Sequence, residues 1–285
     1  MPTYAVTGAS GHLGRLVIES LLARGVGADD VVAVVRTPAK VADLADRGVV
    51  VREGDYSRPD TLGPALDGVR RVLLISGDEV GQRVGQHSAV VAAARAAGVE
   101  RIAYTSILRA DTTENPLAPD HRATEEVLRS SGLPFTVLRN GWYTENYTDQ
   151  LPRYLEQGEI VGAAGSGRVS AAPRADYAEA AAAALVGDAD GDVVLELGGP
   201  AFTFAELAAT VSEAGGRPVT HRALATDEFA ATLESAGLDA GTAAFVASLD
   251  EAIARGDLET DSDDLARLLG RAPTSLEQAV RAALA

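Results

Sequence analysis

Three glycines at three-residue intervals, Gly8, Gly11 and Gly14, are the first residues here with a chemical reading. They sit in Thr7-Gly8-Ala9-Ser10-Gly11-His12-Leu13-Gly14, after a short apolar run and before a helical pattern. In that context Gly8 permits a tight turn, and Gly11 lets backbone approach a pyrophosphate. Gly14 lets the helix lie close to the strand. The first helical turn offers unpaired N–H groups and the positive end of its dipole to phosphate. The stretch Gly8, Ala9, Ser10, Gly11, His12, Leu13 and Gly14 therefore reads as a dinucleotide cradle. A tight turn kept only for packing would use the same glycines.

A second group of residues addresses which nucleotide. An acid at the end of the second strand would hold the ribose hydroxyls of NAD. Here that position reads Val34-Val35-Arg36-Thr37-Pro38-Ala39-Lys40, with no acid. The planar fork of Arg36 suits a 2′-phosphate, and Lys40 follows one helical turn later. The expected cofactor is NADPH, with NADH possible; both cations would equally suit a solvated helix start. Asp55 and Tyr56, after the third strand, fall where an adenine would lie, and Asp55 also suits a turn or helix cap.

Composition removes several alternatives. The net charge of -16 opposes nucleic-acid or anionic-membrane binding as the main activity. There is no cysteine, so there is no disulfide, thiolate metal site or cysteine nucleophile. His12, His87, His121 and His221 lack metal-ligand spacing, and no metal is expected. No signal pattern precedes the first strand, and no apolar run is long enough to span a bilayer. The expectation is a soluble cytoplasmic protein, monomer or homodimer, that acts on a small molecule.

These residues need a scaffold, and the first half of the chain supplies one. Strands are expected at Thr3–Thr7, 31–35, 49–52, 69–75, 101–106 and 135–139. Helices are expected at 12–24, from Pro38, and at 82–97 and 119–131. This rhythm implies an α/β, Rossmann-type doubly wound parallel sheet with ligands at the carboxyl ends of its strands. After Tyr143 the rhythm loosens into a helix at 146–158, a glycine-rich loop at 162–167 and a helix at 176–186. A short strand at 193–197, a helix at 204–214, a candidate strand at 219–222 and terminal helices follow. Residues 1–150 are read as the nucleotide-binding domain. Residues 151–285 are read as a smaller, discontinuous, mostly helical substrate-side lobe.

The chain resembles the NmrA-like branch of atypical short-chain dehydrogenase/reductases, and within it the type 2 NAD(P)H:quinone oxidoreductases. The resemblance runs nearly end to end. It rests on the Gly-x-x-Gly-x-x-Gly turn, Val34–Lys40, Gly54-Asp55-Tyr56, Leu74-Ile75-Ser76 with Glu79-Val80-Gly81-Gln82-Arg83, and Ile102–Ser106. Its most specific parts are Leu138-Arg139-Asn140-Gly141-Trp142-Tyr143-Thr144-Glu145-Asn146-Tyr147 and Gly162-Ala163-Ala164-Gly165. The family implies NADPH binding and two-electron reduction of quinones.

The usual catalytic pair of the wider family, a Tyr with a Lys four positions later, is absent: Lys40 is the only lysine, and residue 36 is Arg. General acid catalysis supplies roughly 10²–10⁴ in rate, which a ketone needs and a strongly electrophilic quinone needs less. His121 stands near the family's lysine position, where it can position a ribose or donate a hydrogen bond. On the resemblance, Ser76, Gly77 and Asp78 pass beside the nicotinamide half. Asn140, Gly141, Trp142 and Tyr143 wall the nicotinamide and quinone pocket. Asn140 is then placed to orient a carboxamide or quinone oxygen, Tyr143 to stack or donate a proton, and Arg168 to reach cofactor or substrate. Trp142 and Tyr143 also suit core aromatics at a domain junction. His87, inside the 82–97 helix, reads as packing. An NADP(H)-binding redox sensor without turnover would fit the missing pair equally well.

Overall fold

The structure is a computed structural model and describes residues 3–79 and 81–285. Val80, part of the Glu79–Arg83 motif, lies outside the described residues. The first half alternates strongly. In order come β1 (Tyr4–Thr7), α1 (His12–Ala23), β2 (Val31–Val35), α2 (Ala42–Asp46), β3 (Val50–Glu53) and α3 (Leu62–Leu66). Then follow β4 (Arg71–Leu74), α4 (Arg83–Ala96), β5 (Arg101–Ile107), α5 (Ala118–Ser131) and β6 (Phe135–Asn140). The next elements are β7 (Trp142–Tyr143), α6 (Glu145–Thr148), α7 (Leu151–Gln157), β8 (Glu159–Gly162), β9 (Ala171–Ala172) and α8 (Arg174–Val186). The chain ends with β10 (Val193–Leu197), α9 (Phe204–Gly215), β11 (Thr220–Ala223), α10 (Thr226–Ser235), α11 (Ala240–Ala254), α12 (Asp264–Leu269) and α13 (Leu276–Leu284).

Seven strands form one sheet in the order β10-β6-β5-β4-β1-β2-β3, all parallel. β2 (VVAVV) is buried at every residue, as a continuous apolar run covered on both faces must be. One face packs Val6, Val17, Leu21, Val35, Tyr177 and Leu185 under α1 and α8. The other packs Val32, Leu66, Val90, Tyr104 and Leu128 under α3, α4 and α5. A third cluster, with Ile107, Tyr147, Tyr154, Phe202, Phe204 and Val211, gathers mostly residues of the second half of the chain. No helix is long and apolar enough to cross a membrane among the described residues.

The second half of the chain divides between these layers. Residues 193–197, expected beyond the sheet, are its seventh strand, paired with β6 from Val193↔Thr136 to Leu197↔Asn140. The buried Arg139 guanidinium fixes this edge, donating to Glu125 on α5 at 2.7 and 2.9 Å and to Glu196 on β10 at 2.8 Å. The helix expected over 146–158 is two helices, α6 and α7, with Pro152 in the first turn of α7 where its missing N–H costs nothing. β8, where only a loop was expected from Gly162, pairs with β11 in a two-stranded sheet of its own.

α8 is anchored at its far end. Arg71 Nη1 donates to the carbonyls of Leu185, Val186 and Gly187 at 3.0, 2.9 and 2.8 Å, a cation on the negative end of the helix. With that end held against β4, the N-terminus of α8 and its Arg174 project to the carboxyl edge of the sheet.

Candidate active site

The sheet order reverses between β1 and β4, and there, along the carboxyl edge, runs a cleft of about 440 Å³. One end of it is the Gly8–Gly14 turn. Gly8 has φ of +61°, a left-handed conformation open to glycine. A Cβ on Gly14 would lie 2.5 Å from the Gly8 carbonyl oxygen and 2.8 Å from the Ala9 Cα. The glycine is therefore what lets α1 start against the strand. Gly11 caps α1 with no side-chain hydrogen bond, and no acid sits in the first turn. The first-turn N–H groups are left for an anion. These residues fit a pyrophosphate. Gly8, Ser10, Gly11, His12, Leu13 and Gly14 line the cleft; Ala9 is fully buried beneath it.

Arg36, Lys40, Asp55 and Tyr56 line the same end. Arg36 is largely exposed, its nearest counter-ion being Glu79 at 3.7 Å. Asp55 accepts the Ser57 N–H at 3.0 Å, so the turn role is real; its own N–H donates to Thr61 Oγ1 at 2.9 Å. The Tyr56 hydroxyl points inward, donating to the Ile75 carbonyl at 2.9 Å and touching Thr7 Oγ1, so it is already engaged within the protein.

Ser76, Gly77 and Asp78 follow β4 and line the middle. The Gly77 peptide is gripped on both sides by α4. Its N–H donates to His87 Nε2 at 3.0 Å, and its C=O accepts from Arg83 Nε at 2.7 Å. His87 is fully buried, and burial pushes it down to about 4 from 6.5, so it stays the neutral acceptor this contact needs. Helix periodicity places His87 on a packing face. Its backbone hydrogen bond could not be read from helix periodicity.

At the far end, Tyr143 lines the cleft, and the neighbouring aromatics part. Trp142 packs against the lobe core, while Tyr143 packs against the sheet core and lies edge-on to Tyr177, with ring centres 5.6 Å apart. Burial raises the Tyr143 phenol, with the Arg174 cation opposing, so it is a weak proton donor. Asn140 is buried, its Oδ1 is unpartnered, and it does not line the cleft. Gly141 also lies below, where a Cβ would meet the Ser170 carbonyl at 2.3 Å.

Two expected residues lie elsewhere. His121 is buried on α5, with Nδ1 2.8 Å from the Tyr104 hydroxyl, and it does not line the cleft. Burial pushes it down to about 3, so it is neutral through the physiological range and is no acid for the cleft. Arg168 lies on the lobe surface, 3.4 and 3.5 Å from Glu206 and Glu259. Its expected place at the cleft is taken by Arg174, which opens α8 and holds its guanidinium over the Tyr143 ring, 4.7 Å from the centroid. The sequence offers no local signal for Arg174, one arginine at the head of an alanine-rich helix.

Comparison with known proteins agrees with this geometry. Residues 8–188 match the family described as NAD(P)H-binding. The chain is 47% identical to quinone oxidoreductase 2 of Escherichia coli over 97% of this chain and 96% of that protein. The crystal structure of the E. coli NADPH-dependent quinone oxidoreductase complexed with NADPH superposes with a TM-score of 0.96 at 46% identity, covering 99% of this chain and 100% of that one. The triphenylmethane reductase of Citrobacter sp., complexed with NADP(H), superposes at 0.94 and 40% identity, covering 99% and 100%. With its glycine turn, uncapped helix and parallel sheet at the expected places, the chain belongs to the NAD(P)H-binding family.

Proposed function

We propose that the protein is an NADPH-dependent quinone reductase that works by two-electron hydride transfer. The observation that carries this is one continuous cleft with a phosphate cradle and two cations, Arg36 and Lys40, at one end and an aromatic wall, Tyr143, at the other. Whole-length likeness to quinone oxidoreductase 2 supports the same reading. When bound, the reduced nicotinamide supplies the hydride. The residues of this chain hold and align: α1 faces the phosphates, Arg36 and Lys40 suit a 2′-phosphate, and Gly77 offers a flat backbone to the ring. Tyr143 gives a planar acceptor a surface to stack on. The protein's contribution is proximity and orientation. Absence of the Tyr-Lys pair, with His121 buried and neutral, fits an acceptor that needs little acid catalysis.

Initial rates of NADPH and NADH oxidation, with and without a simple benzoquinone, test this. Quinone-dependent oxidation faster with NADPH is the expected result. Tight NADPH binding without turnover across a quinone panel would overturn it and leave a nucleotide sensor.

A further inference from the structure

Hydride transfer to a quinone leaves negative charge on the acceptor. Among the described residues the Tyr143 end of the cleft offers only a phenol that burial makes a weak donor, while His12 and Lys40 line the opposite, glycine-turn end. The acceptor gains one proton and two electrons as hydride. One electron pair moves onto the acceptor's far oxygen as an oxyanion, the cofactor leaves oxidised, and a proton from water later completes the hydroquinone.

Arg174 is placed to meet that oxyanion. Most guanidinium groups of this chain are committed: Arg71, Arg101 and Arg139, for example, each make several hydrogen bonds. Among the described residues, those of Arg36, Arg95, Arg174 and Arg217 make none. Arg95 and Arg217 lie on exposed surface, whereas Arg36 and Arg174 line the cleft. Strand order puts them at opposite ends, Arg36 after β2 and Arg174 beside the Tyr143 that follows β6. Glu145 steadies Arg174 without occupying it. Its carboxylate accepts the Arg174 backbone N–H at 2.9 and 3.1 Å and stays 3.7 Å from Nη1. The acids that line the cleft are Asp55, which follows β3, Asp78 in its middle and Glu79, 3.7 Å from Arg36. The guanidinium therefore keeps its donors for a ligand lying against Tyr143.

We propose that Arg174 is a catalytic residue that donates to the acceptor oxygen as it becomes an oxyanion, in place of a general acid. This rests on the quinone-reductase reading, but its main test does not need turnover. The probe is 4-nitrophenol, a product-like phenol whose phenolate absorbs visibly, titrated over pH with saturating protein and NADP⁺. Bound to the unaltered protein, the phenol should ionise at least about one pH unit below its value in water, a tenfold preference for the anion. Arg174→Gln should abolish most of that shift and Arg174→Lys should keep part of it. NADPH affinity and the thermal midpoint should stay unchanged. With a quinone, kcat should fall roughly 10- to 100-fold in Arg174→Gln, the loss of one charge-assisted hydrogen bond. A shift that survives Arg174→Gln overturns the proposal. So does an unshifted bound phenol, or a variant whose defect is in NADPH binding. Failure of every quinone to turn over, with the phenol shift intact, would sink the quinone reading and leave the anion-binding role of Arg174 standing.

Discussion

α1 and α8 pack side by side on one face of the sheet, and both open at the same cleft, yet their N-termini are finished in opposite ways. α1 starts at glycine, with no capping side chain and no acid in its first turn. α8 starts after Pro173, and its first N–H is already taken by both oxygens of Glu145. The first helix leaves its backbone donors without a side-chain cap, and its glycines leave room for a phosphate to reach them. The second gives its first backbone donor to the chain's own carboxylate and presents a side chain, Arg174. A helix end can serve an anion through its dipole and N–H groups, or merely as a mount. Backbone recognition tolerates almost no added atoms, whereas side-chain recognition tolerates graded change.

The contrast orders the effects of substitution. Gly14→Ala should be the most damaging, because its Cβ meets backbone that cannot yield. We expect about 1–3 kcal/mol of lost stability from overpacking. NADPH affinity should fall roughly 100-fold or more as α1 backs away from the phosphates. Calorimetric binding and thermal unfolding check both; near-normal affinity would mean that the α1 end is as forgiving as the α8 end.

Next comes Arg36→Ala, a side-chain contact at the nucleotide end. KM for NADPH should rise roughly 10- to 100-fold while that for NADH hardly moves. Equal effects on the two would remove the 2′-phosphate role.

The Gly77 clamp should show in the pH dependence of stability. His87 and His121 have folded values of about 4 and about 3, below the ordinary 6.5. The unfolded chain therefore binds more protons, and their contribution, complete above about pH 6.5, is lost as pH falls toward 4. Asp250 opposes them. Burial raises it to about 6, so it favours the folded state as pH falls through the same window. His221 is also held below 6.5 by burial, so three histidines against Asp250 predict a falling thermal midpoint between pH 6.5 and 4. The fall should be shallower in His87→Gln and steeper in Asp250→Asn; identical slopes in all three would mean that neither burial matters.

The smallest effects should come from groups whose chemistry lies elsewhere. Tyr143→Phe keeps the ring and loses a weak donor, so quinone turnover should change by less than about twofold, since little acid catalysis is at stake. A large loss would restore the hydroxyl as proton donor. Arg168→Ala should leave both Michaelis constants unchanged and stability within about 0.5 kcal/mol.

Much of the nucleotide end was legible before any fold was known. The glycine turn, Arg36, Lys40, Asp55, Tyr56 and Ser76–Asp78 all line the cleft. Each follows a strand that periodicity marks, and the loops after parallel strands share one edge. The acceptor end was legible only in part. Tyr143 was found through a motif, but its neighbour Trp142 faces the other core, and the arginine at the cleft is Arg174 rather than Arg168. His121, close to its expected chain position, is turned away toward Tyr104.

The parallel sheet, the Gly8–Gly14 turn and the absence of a Tyr-Lys pair are written in the chain itself. These depend on neighbours in the chain: strand runs, glycine spacing and the presence of a single lysine. Folding in three dimensions settles that residues 193–197 extend the sheet, that α4 holds Gly77, and that Arg174 shares the cleft with Arg36. Those depend on pairings between residues far apart in sequence, Leu197 with Asn140 or Arg71 with the end of α8, which fix where a helix points. Periodicity records which face of an element is buried, but not which element buries it.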